Sequence, residues 1–300
     1  MTVFFHDALR DGPLPIPADS PWLRHGVAVF ETLLWRGGRL RWAARHLERA
    51  AASLAALGLG PLPAPVGDAD ALAARAVEVL EARDLARATA RVNLHLGLLA
   101  PSAPPVALVT AAPYPPPPLA PVALTLTGDA VCSPTACHKT AAYLPYRDAT
   151  RRARAAGAWD AALTDGAGHL TEAATGALLL WDGARRGGPD DAVELGDLEL
   201  VTPATPWKLP SLALAAVRDA VPVREEAISV ARLPRFRSAW LLNSLVGALP
   251  LASLGATPLH PEPALAAALR RLAWEDDPAG EVSASGEISA SWPRAGGRSL

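Results

Sequence analysis

The chain has 300 residues, half of them apolar, which is enough to bury a sizeable core and long enough for about two domains. A formal net charge of −2 and the lack of any Lys/Arg-rich run exclude nucleic acid and an anionic membrane surface as the main partner, leaving a small molecule or a protein. The opening MTVFFHDALRDG has no basic leader, the long uncharged stretch from Val92 to Gly128 is broken by prolines, and Cys132 and Cys137 are too few for a disulfide framework or a zinc site, so a cytoplasmic protein without a membrane span is expected.

In chain order, VAVFETLLWRGGRLRW reads as two strands that turn at RGGR. AARHLERAAASLAALGLG has helical spacing and ends in glycine, as a helix C-terminus does. Residues 65–83 form a second alanine-rich helical region, and ATARVNLHLGLL alternates as a strand. PVALVTAAPYPPPPLAPVALTLTG places a strand on each side of a proline cluster that suits neither a helix nor a sheet interior, so residues 113–121 are expected to be a stiff interdomain linker. LPYRDATRRARAAGAW is a helix entered through Pro145 and closed at Gly157, WDAALTDGAGHLTEA a hairpin turning at DGAG, and TGALLLWDG a strand. LPSLALAAVRDAV is a helix, and AWLLNSLVGALPLASLG a strand, a loop and a further strand. From Asp276 onward small and charged residues replace core formers, so 276–300 is expected to be a mobile tail. The fold class is therefore α+β, with a smaller N-terminal α/β domain over residues 1–112 and a larger C-terminal domain over 122–275.

Lys139 and Lys208 are the only lysines among 28 Lys and Arg residues, which points to a composition that writes arginine wherever a surface cation suffices. A lysine amine can be neutral and nucleophilic and can form an imine, whereas a guanidinium stays protonated. Rarity alone leaves the two lysines equal as candidates.

Four segments in this order resemble the fold-type IV pyridoxal-phosphate enzymes, which include branched-chain and D-amino-acid aminotransferases and 4-amino-4-deoxychorismate lyase. HGVAVFETLLWRGGRLRWAARHLERA resembles the family's opening block; the resemblance implies that Arg49 grips the cofactor phosphate, a task for a fixed bidentate cation. HKTAAYLPY resembles the Lys-Thr-x-x-Tyr block and implies that Lys139 forms the Schiff base and shuttles the substrate proton, with Tyr143 stacking or hydrogen bonding near the cofactor. GHLTEAATGALLLWDG resembles the Thr-Glu block, in which Glu172 would pair with the pyridine nitrogen, and its place one helix and one hairpin after Lys139 separates that lysine from Lys208. KLPSLALAAV and LLNSLVGALP resemble the phosphate turn and loop, implying contacts from the Leu212 and Ala213 amides and from Ser244. The chain departs from the family at Ala177, where asparagine is common, and at Ser211 and Leu214, which replace glycine and arginine.

The cofactor residues are shared by every reaction of this family, so substrate contacts must choose among them. NLHLGLLAPSAPPV carries His95 but no arginine, and an alternating strand position makes a structural histidine at least as natural as a ligand, which disfavours a D-amino-acid substrate. FETLL, with Thr32 assisting proton transfer, together with LLNSLVGALP resembles the lyase most, implying conversion of 4-amino-4-deoxychorismate to 4-aminobenzoate and pyruvate. The alternatives are an aminotransferase of branched-chain or other hydrophobic amino acids and a catalytically silent relative. The resemblance also implies a homodimer.

Overall fold

The structure is a computed structural model that describes residues 1–128, 130, 132–185 and 195–274, so the expected tail lies outside the described residues. The first half runs β1 (Val3–Phe5), β2 (Ala8–Arg10), α1 (Pro21–His25), β3 (Ala28–Arg36), β4 (Arg39–Leu40), α2 (Ala43–Ala56), α3 (Ala69–Glu81), β5 (Ala90–Gly97) and β6 (Val106–Pro113). The second runs β7 (Val122–Thr127), α4 (Leu144–Ala155), β8 (Asp160–Thr164), β9 (Leu170–Ala173), β10 (Ala177–Arg185), β11 (Leu198–Pro203), α5 (Leu212–Ala220), β12 (Val223–Glu226), β13 (Ser238–Asn243), β14 (Gly247–Leu254), β15 (Thr257–Pro258) and α6 (Pro263–Trp274).

Among the described residues the strands build two sheets. The six-stranded sheet has the order β2-β1-β6-β5-β3-β4 with antiparallel neighbours throughout. Its β3–β4 hairpin turns on Gly37 and Gly38, with φ of 59° and 77°, the pair of positive angles that a two-residue turn matched to strand twist demands. The nine-stranded sheet has the order β12-β11-β10-β13-β14-β7-β8-β9, with β15 beside β14, and its parallel pairs are β12–β11, β14–β7 and β7–β8.

Apolar spacing explains how the layers close. Leu47, Ala50 and Leu54 of α2 and Leu72, Ala76, Val79 and Leu80 of α3 recur at helical intervals and cover Leu33 and Leu94 of the first sheet. The ALLLW run of β10 is apolar without alternation because both faces are buried: Leu179 and Trp181 pack with Trp240 and helices α5 and α6, and Leu178 and Leu180 pack with Leu249 and Leu251 on the other side. Trp42, at the head of α2, joins the α5–α6 core and so fastens the first half to the second.

The expected strands and helices are present in their expected order, and among the described residues seven further strands and helices accompany them: β1, β2, α1, β11, β12, β15 and α6. Three-residue strands such as VFF and ALR carry no readable period; β1 pairs with β6, and β2 pairs with β1. β6 ends at Pro113 and β7 begins at Val122, and we propose that the stretch between them, residues 113–121, divides the chain into the expected domains of 1–112 and 122–275.

Gly97 closes β5 against the indole of Trp22, where an added Cβ would stand 2.2 Å from Cδ2. Gly97→Ala is expected to displace Trp22 and destabilise the protein by about 1–3 kcal/mol, read by chemical denaturation.

Candidate active site

Lys139 is placed by backbone pairing to the first sheet. Phe30 N–H donates to the Lys139 carbonyl at 2.8 Å, Ala141 N–H donates to the Ala28 carbonyl at 2.8 Å, and Thr140 bridges Val29. This short strand-like contact lays the side chain over aromatic faces, with Nζ 4.5 Å from the Phe30 ring centre and 5.5 Å from that of Tyr143. Burial, together with the Arg49 charge, lowers the amine from its ordinary 10.5 to about 8, against the opposing pull of Glu31 and Glu172.

Glu172 is the penultimate residue of β9, is 6% exposed, and accepts the Leu209 N–H at 3.0 Å through Oε2. Burial raises its carboxyl from 4.5 to about 7, although the Leu209 amide, Lys139 and a hydrogen bond from the Tyr146 side chain favour the anion. Tyr146 stacks on Tyr143 with ring centres 5.0 Å apart, and the Tyr143 hydroxyl donates to the Ala174 carbonyl at 2.6 Å. Both phenols are pushed up, Tyr143 by burial and the nearby Asp160, Tyr146 by burial and Glu172.

Lys208 is held elsewhere. Its Nζ donates to the Pro203 carbonyl and pairs with Glu225 at 3.0 Å, and it lies outside the cavity lining. The Lys208 side chain is 16% exposed and paired.

Arg49 meets Glu31, a residue the sequence reading did not single out. Nε donates to Oε1 at 2.8 Å and Nη2 to Oε2 at 2.5 Å, while Nη1 donates to the Pro210 carbonyl at 2.7 Å. Three of the five guanidinium N–H groups are thereby committed, leaving one on each terminal nitrogen. His46 Nδ1 lies 2.7 Å from Glu31 Oε2, which selects the Nδ1–H tautomer, and burial lowers the imidazole pKa. Burial alone would push the Glu31 carboxyl up; Arg49 and His46 instead hold it down at about 2.

The Pro210 carbonyl ties Arg49 to the entrance of α5. Ser211 is the N-cap of that helix, its Oγ accepting the Leu214 N–H at 3.2 Å, so Leu212 and Ala213 head the helix with their amides. Opposite lies the loop after β13. Asn243 Oδ1 accepts the Leu245 and Val246 N–H groups at 3.0 and 2.9 Å, and its Nδ2 donates to the Thr175 carbonyl at 3.0 Å, which fixes Ser244 between them.

These groups enclose a cavity of about 500 Å³. The expected residues Thr32, Arg49, Lys139, Tyr143, Glu172, Leu212 and Ser244 all line it, as do Ser211 and Ala177. Ala213 and Leu214 are packed in the α5–α6 core and are not part of the lining. His95 is likewise absent from it, stacked on Phe30 with centres 5.6 Å apart and on Trp22 at 6.4 Å. The sequence reading missed Arg91, Asn93, Tyr146 and Asn243, all of which line the cavity. Arg91 and Asn93 share a face of β5 at a spacing of two, and Asn93 pairs in register with Thr32. That alternation was the available signal.

The amino-transferase class IV family matches residues 28–254, and the chain belongs to it. No curated protein sequence matches the chain. Its fold is that of fold-type IV enzymes. It is similar to a branched-chain aminotransferase from the archaeon Thermoproteus uzoniensis in complex with norvaline, with a TM-score of 0.74 and 20% identity over 91% of this chain and 94% of that one. It is similar to a fold IV transaminase from Curtobacterium pusillum, at 0.73 and 23% over 89% and 90%. A hypothetical aminotransferase from Mycobacterium tuberculosis, solved with α-ketoglutarate and PMP, gives 0.72 and 22% over 91% and 97%.

Glu172 and Lys139 make the stability of the ligand-free protein depend on pH in opposite directions. A carboxyl raised from 4.5 to about 7 stabilises the fold below pH 4.5 and loses that contribution as pH rises through 7. An amine lowered from 10.5 to about 8 contributes above pH 10.5 and loses it as pH falls through 8. Stability measured by denaturation is therefore expected to dip between about pH 7 and 8 relative to a Lys139→Met/Glu172→Gln double variant, with the difference shrinking on either side.

Proposed function

We propose that the protein is a pyridoxal 5′-phosphate enzyme acting on a small amino substrate, and that its reaction converts 4-amino-4-deoxychorismate to 4-aminobenzoate and pyruvate. One observation carries the cofactor assignment: the rare Lys139 amine and the Glu172 carboxylate line one cavity with Arg49, beside the N-terminus of α5. That donor set fits the group. The two uncommitted Arg49 N–H groups, the Leu212 amide at the helix head and the Ser244 hydroxyl suit a phosphate. Glu172 suits a protonated ring nitrogen, and Tyr143 and Tyr146 supply aromatic surface. When bound, the cofactor supplies an electron-accepting ring that stabilises negative charge on the carbon next to the substrate nitrogen.

The chain's own residues then divide the work. Lys139, with an amine lowered to about 8, is a fitting proton acceptor near neutral pH and returns the proton in the same cavity. Thr32 hydrogen bonds to the groups that move this proton. Arg91 and Asn93 hold the substrate carboxylate from β5. The polar wall formed by Thr32, Arg91 and Asn93 favours the lyase reading, because a substrate bearing carboxylates is served there and a branched aliphatic side chain is not. The second reading is an aminotransferase of branched-chain or other hydrophobic amino acids, supported by membership of the class IV family and by Phe30 and Leu245 at the cavity wall. A silent relative is opposed by the presence of Lys139, Glu172 and Arg49 together. We also propose a homodimer, for which Leu23 and Leu144, 63% and 75% exposed, offer apolar surface; light scattering reads the mass.

Protein incubated with pyridoxal phosphate is expected to turn yellow, and borohydride to fix the label on the Lys139 peptide; Lys139→Ala does neither, and a colourless wild type defeats the cofactor assignment. With colour established, pyruvate release from 4-amino-4-deoxychorismate supports the lyase, and amino transfer from leucine or glutamate without pyruvate selects the second reading. Arg91→Ala is expected to raise KM about tenfold or more, through loss of a charge-assisted contact to the substrate.

A further inference from the structure

Asp160 on β8 is 1% exposed, and its hydrogen bonds come from hydroxyls and an amide. Thr150 Oγ1 of α4 donates to Oδ1 at 2.7 Å; Thr175 donates to Oδ2 twice, through its N–H at 3.0 Å and its Oγ1 at 2.7 Å. The carboxylate thus joins the helix that carries Tyr143 and Tyr146 to the turn that follows Glu172.

That turn is gripped from every side. Ala174 N–H donates to the Ala161 carbonyl at 2.8 Å, Tyr143 O–H to the Ala174 carbonyl at 2.6 Å, and Asn243 Nδ2 to the Thr175 carbonyl at 3.0 Å. At Gly176 an added Cβ would stand 2.4 Å from the Leu242 carbonyl, so the turn lies against β13 with no room for a side chain. Because the same Asn243 amide caps the loop that presents Ser244, a movement of Thr175 is transmitted to that loop.

Burying a carboxylate costs several kcal/mol of solvation, which a tie serving the fold alone would avoid with a neutral group. The carboxylate has a use here, since its two oxygens accept all three bonds from Thr150 and Thr175 at once, which an amide with a single acceptor oxygen cannot do. We infer that Asp160 is a positioning residue of this active site: acting through Thr175, it sets Glu172 and the Ser244 loop at the separation the cofactor requires. This rests on the pyridoxal phosphate assignment.

The test titrates the ligand-free protein with pyridoxal phosphate, following the visible band and its pH dependence, and compares Asp160→Asn with Leu80→Ala, a core truncation under the first sheet that lowers stability without touching the cavity. Asp160→Asn is expected to weaken cofactor affinity about tenfold and to move the pH midpoint of the band by about half a unit or more, whereas Leu80→Ala leaves both in place at a comparable or larger stability loss. Should Asp160→Asn fail to fold, Thr175→Val removes one of the two contacts to Oδ2 and is expected to weaken affinity about threefold. Equal affinity and midpoint in the Asp160 or Thr175 variant and the Leu80 control overturn the inference. A wild type that takes up no cofactor overturns instead the assignment on which it rests.

Discussion

The pairing of residues 139–141 along β3 is the constraint on which the site depends. Two backbone hydrogen bonds and the Val29–Thr140 bridge carry a segment of the second half onto the first sheet, and without them Lys139 would have no fixed relation to Arg49 or Thr32. The contact has little tolerance. At Gly26, φ is +65° and an added Cβ would lie 3.3 Å from the Ala142 amide nitrogen, so the chain just before β3 must be glycine both for its backbone angle and for the approach of this segment.

Around that joint four ionisable groups share one poorly solvated space. Glu31 and Arg49 are close enough for a bidentate pair that keeps both charged, and Glu31 falls to about 2. Among the described residues neither Lys139 nor Glu172 makes a bidentate ion pair of this kind, and burial moves each toward its neutral form, to about 8 and about 7. The same low dielectric therefore fixes charge on one pair and loosens the proton on the other. A firmly charged arginine suits the holding of an anion, and an amine that exchanges its proton near neutrality suits chemistry.

The departures from the family pattern are absorbed locally. Ser211 in place of glycine becomes the N-cap of α5, and Leu214 in place of arginine turns into the core. Ala177 leaves no amide at its own position, but it pairs in register with Leu242, and the next residue on that strand is Asn243, whose side chain spans from the Thr175 turn to the Ser244 loop. An amide is thus present one residue across the sheet from where the pattern would place it.

The order of most strands and helices and the rarity of lysine were legible in the chain itself, because period, turn residues and composition are local properties, while Arg49, Lys139 and Glu172 became candidates through the resemblance of their segments to the family. Glu31, Asp160 and Asn243 were found by neither route. A carboxylate in FETLL or WDAAL looks like any other until β3 and β8 are buried, and only packing shows that Arg49 lies against the first and Thr175 against the second. Arg91 was overlooked because its alternation with Asn93 gives a face but not what that face looks upon. The sequence determined which elements form and which side chains have reactive chemistry; the tertiary structure decided which of them meet, since contacts between residues tens to hundreds of positions apart follow from sheet order and register rather than from any local pattern.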